Sequence, residues 1–250
     1  DLLPNNYSSL SESEKIHFLA QEKPITIDAN SIISDVERDV IEVMQAIKNI
    51  QQLNGEAGCN RYIISQCHSS LGVMEVYGLL LFSGWQKDTL SIDIVPLFET
   101  IDDLQAAANI METLYTNEAY KSHLQKRGNK QTIMLGFSDG TKDGGYLMAN
   151  WGIYKAKENL TAISKKYAID VVFFDGRGGP PARGGGKTHN FYASLGKNIS
   201  NKEIQLTVQG QTVSSNFGTI DAAQFNMEQL LHAGISNEIK STEEVAGLSE

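Results

Sequence analysis

The sequence predicts an α/β protein made of parallel βα units with additional helices, and three observations carry this. Short apolar runs at 61–65, 91–98, 132–137 and 170–174 alternate with longer stretches of helical periodicity, the rhythm of strands joined by crossover helices. The runs are apolar throughout instead of alternating, as expected when both faces of a strand are covered. Acidic and glycine-rich residues gather where the runs end, and that carboxyl edge is where parallel α/β folds bind ligands.

Taken in order, residues 31–53 place Ile33, Val36, Val40, Val43, Met44, Ile47 and Ile50 at helical spacing, with Gly55 set to end the helix. Residues 61–65 read as a strand, followed by a helix through Val73, Val76, Leu79 and Leu80 up to Gly84. The next strand is 91–98 and the next helix 104–114; then come a strand at 132–137 and a long helix from about 145 to 167. A fourth strand at 170–174 and a weaker fifth at 204–208 complete the count, and the polar tail 237–250 is expected to fray. A complete barrel needs eight strands. An open doubly wound sheet and part of a TIM-type (β/α)8 barrel both fit about five. Residues 1–250 are expected to form one incomplete domain.

Composition narrows the function. At 41% hydrophobic and 20% charged, the chain is ordinary for a soluble globular protein. A net charge of −9 argues against nucleic acid or a membrane surface as partner, so an anionic substrate has to be held by local arginines. Two cysteines, Cys59 and Cys67, read as reduced thiols of a cytoplasmic protein. No run approaches the roughly 20 apolar residues of a membrane span. The first residue is Asp1, so the chain is expected to be processed or cut from a longer one.

The chemistry sits at the strand ends. Glu99 directly follows Leu97-Phe98, and Thr100 with Asp103 forms a plausible capping box for the next helix. That box accounts for Asp102 and Asp103 but not for an acid still on the strand. The third strand runs into Ser138-Asp139-Gly140-Thr141-Lys142-Asp143-Gly144-Gly145. This is either a capped turn or a site where Asp139 joins Glu99 on a hard cation, since magnesium takes one or two carboxylates and leaves room for substrate oxygens. Lys142 would then face a carboxylate or phosphate, and Asp143 is expected to cap the helix that follows. His17, His123 and His232 look structural; His68 and His189 lie near strand ends, without a zinc-type spacing partner. Trp151 and Tyr154 read as core.

The richest segment is Val171-Val172-Phe173-Phe174-Asp175 followed by Gly176-Arg177-Gly178-Gly179-Pro180-Pro181-Ala182-Arg183-Gly184-Gly185-Gly186-Lys187-Thr188-His189. Glycines let backbone approach a ligand closely, and arginines offer forks for phosphate or carboxylate oxygens. The segment reads as an anion-binding lid. Its Gly186-Lys187-Thr188 tail is not that of a nucleotide-binding P-loop, because Pro181 stands where the first glycine is required and prolines lack the N–H groups of a phosphate cradle.

Three stretches in this order, Val95-Pro96-Leu97-Phe98-Glu99-Thr100-Ile101-Asp102-Asp103-Leu104, the 136–145 motif and the 176–186 loop, resemble phosphoenolpyruvate carboxylase. Tyr62-Ile63-Ile64-Ser65 and Thr207-Val208-Gln209-Gly210-Gln211 support the resemblance, which covers about 60–220. It implies a TIM-type barrel and a carboxylating lyase that joins phosphoenolpyruvate to bicarbonate, giving oxaloacetate and phosphate. Bicarbonate attacks phosphorus to form carboxyphosphate and an enolate, whose carbon then captures the carbon dioxide released. The resemblance further implies Glu99 and Asp139 as ligands of Mg²⁺ or Mn²⁺, and Arg177 and Arg183 over the substrate. Lys142 falls on the bicarbonate side, with Gly178, Gly179, Gly184 and Gly185 lining the substrate. A homotetrameric, cytoplasmic full-length enzyme is implied as well.

The sequence departs from the pattern in two ways. The family often has histidine where Asp175 stands and glycine where Ala182 precedes the second arginine; with Pro180 and Pro181, the latter change implies a stiffer loop. Family members are also several times longer, with a catalytic histidine motif upstream and further arginines and an effector site downstream. The chain therefore reads as an excised central piece, expected to be inactive alone. Another phosphoenolpyruvate- or pyruvate-using metal-dependent barrel, or a non-catalytic binding module, are the competing readings.

Overall fold

In a computed structural model, residues 3–176, 187–200, 202–208 and 210–240 are described. Five strands lie side by side in the order of the chain: β1 (Arg61–Ile64), β2 (Asp93–Phe98), β3 (Lys130–Gly136), β4 (Asp170–Gly176) and β5 (Ile204–Leu206). Every neighbouring pair is parallel. Crossovers α3 (Ser70–Phe82), α4 (Ile101–Thr116) and α6 (Ser138–Lys166) join the first four strands, with α5 (Glu118–Lys126) following α4. This order decides between the two architectures. A doubly wound sheet reverses its strand order at a switch point, whereas consecutive neighbours with crossovers of one hand put all helices on one face. The arrangement is that of part of a (β/α)8 barrel.

The register assigns each strand residue to a face, because side chains alternate along a strand and paired residues share a side. Phe98 pairs with Leu135, and Leu135 with Asp175. With Ile94, Ile133 and Phe173 they form the helix-facing side, packed on Leu104, Ala107, Met111, Ile153 and Leu160. The other side carries Leu97, Met134 and Phe174 in mutual register, all half-buried. Ile63, on the same side of β1, is 42% exposed. The inner face thus opens toward the carboxyl ends, where the uniformly apolar runs predict full cover.

Local rules set the helix ends. Ser11 and Glu14 form a capping box on α1 (Glu12–Gln21), and Ser34 caps α2 (Asp35–Asn54), which stops at Gly55 with φ +82. Thr100 and Asp103 make the expected box on α4. Of the stripe expected on α2, only Met44 and Ile47 are buried, joined by Ile41; Val36, Val43 and Ile50 are exposed, and Ile33 lies ahead of the helix and is 96% exposed. Trp151 is a second correction: instead of core it is 55% exposed and stacked on Tyr154 at 6.0 Å. The chain closes with α7 (Thr188–Ala193), α8 (Gln211–Phe217) and α9 (Ile220–Lys240). Residues 237–240, read as the start of a frayed tail, continue α9, and 241–250 lie outside the described residues. No helix among the described residues is long and apolar enough to cross a membrane.

Candidate active site

Glu99 leaves β2 one residue after Phe98, so the pleat turns it away from the helices to the inner face. It is half-buried, and its Oε2 accepts the N–H of Gln66 at 3.1 Å. Gln66 sits just past β1 at φ +51, a conformation that costs a residue with a Cβ roughly 1–2 kcal/mol. The backbone of Glu99 is fixed from the other side by buried Asp103. Asp103 Oδ2 accepts the N–H groups of Glu99 (3.3 Å) and Thr100 (3.0 Å), while Oδ1 lies 2.6 Å from His68 Nδ1. Burial pushes the Asp103 carboxyl up, but hydrogen bonds from His68, Thr100 and Glu99 outweigh it and hold it below the usual carboxylate range. Glu99 is therefore gripped at both its main chain and its side chain.

Asp139 follows the neighbouring strand end, and the glycines that flank it in sequence pack against Glu99. A Cβ on Gly136 would stand 3.1 Å from Glu99 Cγ, and one on Gly140 would stand 3.2 Å from the Glu99 carbonyl oxygen. Asp139 lies between these two contacts in sequence. The same segment is tied further along by Asp143, whose Oδ2 accepts the N–H of Ile101 at 3.0 Å. Asp143 thus caps α4, not the helix that follows it. That helix breaks from the 138–144 turn at Gly145, with φ +79 and ψ 170, so the expected start near 145 marks the break inside α6.

Lys142 Nζ is 2.7 Å from Asp139 Oδ1, and both side chains are well exposed. Such a pair is worth about 0–1 kcal/mol, so it offers little resistance to a cation competing for Asp139. Two carboxylates on adjacent strand ends are hard oxygen donors, and they fit Mg²⁺ or Mn²⁺ completed by water and substrate oxygens. Among the described residues there is no group of three or more His, Cys, Asp or Glu placed to hold a metal, as a closed zinc or calcium site would need. Cys67 is no nucleophile despite its neighbour His68. Burial and the Asp103 charge push its thiol up to about 12.

Arg177, Arg183, Gly178, Gly179, Gly184 and Gly185 lie outside the described residues. The strand that leads to them is described, and Asp175 differs sharply from Glu99. It is buried on the helix-facing side, 2.7 Å from Lys157 Nζ, and accepts the Tyr192 hydroxyl at 2.7 Å. Sequence reasoning passed over Lys157. Its signal was periodicity: it shares the buried stripe of α6 with Ile153, Leu160, Thr161 and Ser164, where an unpaired lysine has no place.

A sequential parallel sheet with an acidic, glycine-packed carboxyl edge defines a segment of a (β/α)-barrel protein. The chain matches the family model described as phosphoenolpyruvate carboxylase over residues 1–247. It is 34% identical over 245 residues to the phosphoenolpyruvate carboxylase of Rhodothermus marinus, covering 92% of this chain and 26% of that protein. Against the phosphoenolpyruvate carboxylase of Mycobacterium leprae (strain TN) it is 35% identical over 255 residues, covering 98% of this chain and 27% of that protein. The chain belongs to the phosphoenolpyruvate carboxylase family. It spans about a quarter of the length of the curated relatives it matches.

Proposed function

We propose that this chain supplies part of the catalytic barrel of a phosphoenolpyruvate carboxylase, the enzyme that carboxylates phosphoenolpyruvate with bicarbonate to oxaloacetate and phosphate. The observation that supports the reading is the close packing of Gly136 and Gly140, which flank Asp139 in sequence, against Glu99, within a chain matched to the family along nearly its whole length. Glu99 and Asp139 would hold Mg²⁺ or Mn²⁺, which when bound supplies Lewis-acid stabilisation of the enolate oxygen and orients the phosphoryl group.

The remaining roles belong to the chain's own groups. Gln66 and Asp103 keep Glu99 aimed at the inner face. Lys142, exposed beside Asp139, offers its ammonium to bicarbonate. Arg177 and Arg183 balance the charge of the phosphoryl oxygens as they part from the enolate. Gly178, Gly179, Gly184 and Gly185 let backbone approach the substrate, and a covered site keeps water from reactive intermediates. The reading carries with it a cytoplasmic, homo-oligomeric enzyme of full family length, and a 250-residue segment that does not turn over alone.

The test is oxaloacetate formation by the protein in its full natural length, coupled to malate dehydrogenase. Turnover is expected to require bicarbonate and Mg²⁺ or Mn²⁺ and to vanish in Glu99→Ala. Product formation independent of bicarbonate would point to another phosphoenolpyruvate-using barrel. Metal-dependent binding of phosphoenolpyruvate without turnover would point to a binding module.

A further inference from the structure

Asp175, Lys157 and Tyr192 form a buried polar knot behind the inner face. Lys157 is 1% exposed, with Nζ 2.7 Å from one Asp175 oxygen and 2.9 Å from the other. The Tyr192 hydroxyl donates to the second of these oxygens at 2.7 Å. The ammonium also lies over the rings of Phe173, Phe191 and Tyr192, at 5.3, 5.2 and 5.8 Å. Three elements meet on one carboxylate: β4 through Asp175, the rod of α6 through Lys157, and α7 through Tyr192.

Stability alone is a poor reason for such a knot. A buried ion pair roughly breaks even against apolar side chains of the same volume, because desolvation cancels most of the attraction. An ion pair differs from an apolar plug in direction, since its donors fix where a carboxylate stands. Asp175 is the penultimate residue of β4, two positions ahead of Arg177 in sequence, and Tyr192 belongs to the helix on the far side of the 177–186 segment. At the very end of the strand, a Cβ on Gly176 would come within 3.0 Å of the Leu135 carbonyl oxygen. A small shift of Asp175 would therefore be felt directly in the packing of the edge.

We propose that Lys157, together with Tyr192, is a positioning residue: through Asp175 it sets the carboxyl end of β4, and thereby the affinity for the phosphorylated substrate. The kinetic half of this rests on the carboxylase reading above; the structural half does not.

The test uses the protein in its full natural length and two variants. Lys157→Met/Asp175→Leu replaces the pair by apolar groups of similar volume and leaves no buried charge, so it is expected to fold. Tyr192→Phe removes a single oxygen. Hydrogen exchange reads the structure, and steady-state kinetics read its use. In the double variant, peptides covering the end of β4 and α7 are expected to exchange at least about tenfold faster, with β1 to β3 unchanged. KM for phosphoenolpyruvate should rise about tenfold while kcat stays within about threefold, and Tyr192→Phe should shift both readouts in the same direction by less. Unchanged exchange at β4 and α7, loosening of all strands together, or unchanged KM in a folded double variant would each overturn the proposal. If the parent forms no oxaloacetate, the carboxylase reading fails, and the exchange data alone decide whether the knot positions β4.

Discussion

β2 and β4 both end near an acid, and the two acids do opposite things. Glu99 falls one step after the registered row Phe98, Leu135 and Asp175, so it faces the inner side, half-buried. Asp175 falls on that row, faces the helices and is buried with Lys157 and Tyr192. One residue of register separates a carboxylate available to a ligand from one consumed by the scaffold. Being at a strand end does not fix an acid's surroundings; its parity in the pleat does.

The two acids differ most under substitution. Asp175→Ala leaves the Lys157 ammonium buried without its carboxylate, and urea unfolding is expected to show a loss of about 3–5 kcal/mol. Glu99→Ala, which removes a half-exposed side chain, should stay within about 1 kcal/mol of the parent in the same assay. Comparable losses at the two positions would break the contrast.

A pH titration adds a third titratable group, buried and carried by a helix and not by a strand end. His123 on α5 is packed between the Tyr77 and Tyr120 rings, and burial lowers its pKa to about 4. The folded protein therefore holds this ring neutral while the unfolded chain protonates it near 6.5. The associated stability is complete above about 6.5 and is lost as pH falls toward about 4, amounting to roughly 3 kcal/mol. His123→Phe should flatten unfolding free energy across that window, and an unchanged pH slope would assign the acid sensitivity elsewhere.

Smaller still is the effect of loosening the grip on Glu99. Asp103→Asn keeps the shape of the capping box but weakens its charge-assisted bonds to His68, Thr100 and Glu99. Mn²⁺ affinity, read by paramagnetic resonance, is expected to fall about tenfold. A fall matching that of Glu99→Ala would make Asp103 itself a ligand.

Much of this was legible beforehand. Apolar runs located the strands, and Thr100 and Asp103 announced their box, because both signals are local. What stayed hidden was tertiary. Asp143 resembles a cap for its own helix, yet it bonds to Ile101 on a neighbouring element. Trp151 sits in an apolar stretch, yet its side of α6 is not covered by the described residues. The face of Asp175 depends on register across three strands, which no single run contains. The resemblance to the family singled out Glu99 and Asp139 as the proposed ligands, but the packing of Gly136 and Gly140 against Glu99 came only with the fold.

The most direct measurement is Mn²⁺ binding by the full-length protein, followed through the free-ion resonance signal, in Glu99→Gln and Asp175→Asn side by side. Glu99→Gln is expected to weaken binding at least about a hundredfold, beyond the range of outer-shell losses. Asp175→Asn should leave binding within about threefold of the parent. Retained affinity in Glu99→Gln, or an equal loss in Asp175→Asn, would contradict the assignment of the two acids to opposite faces and opposite tasks.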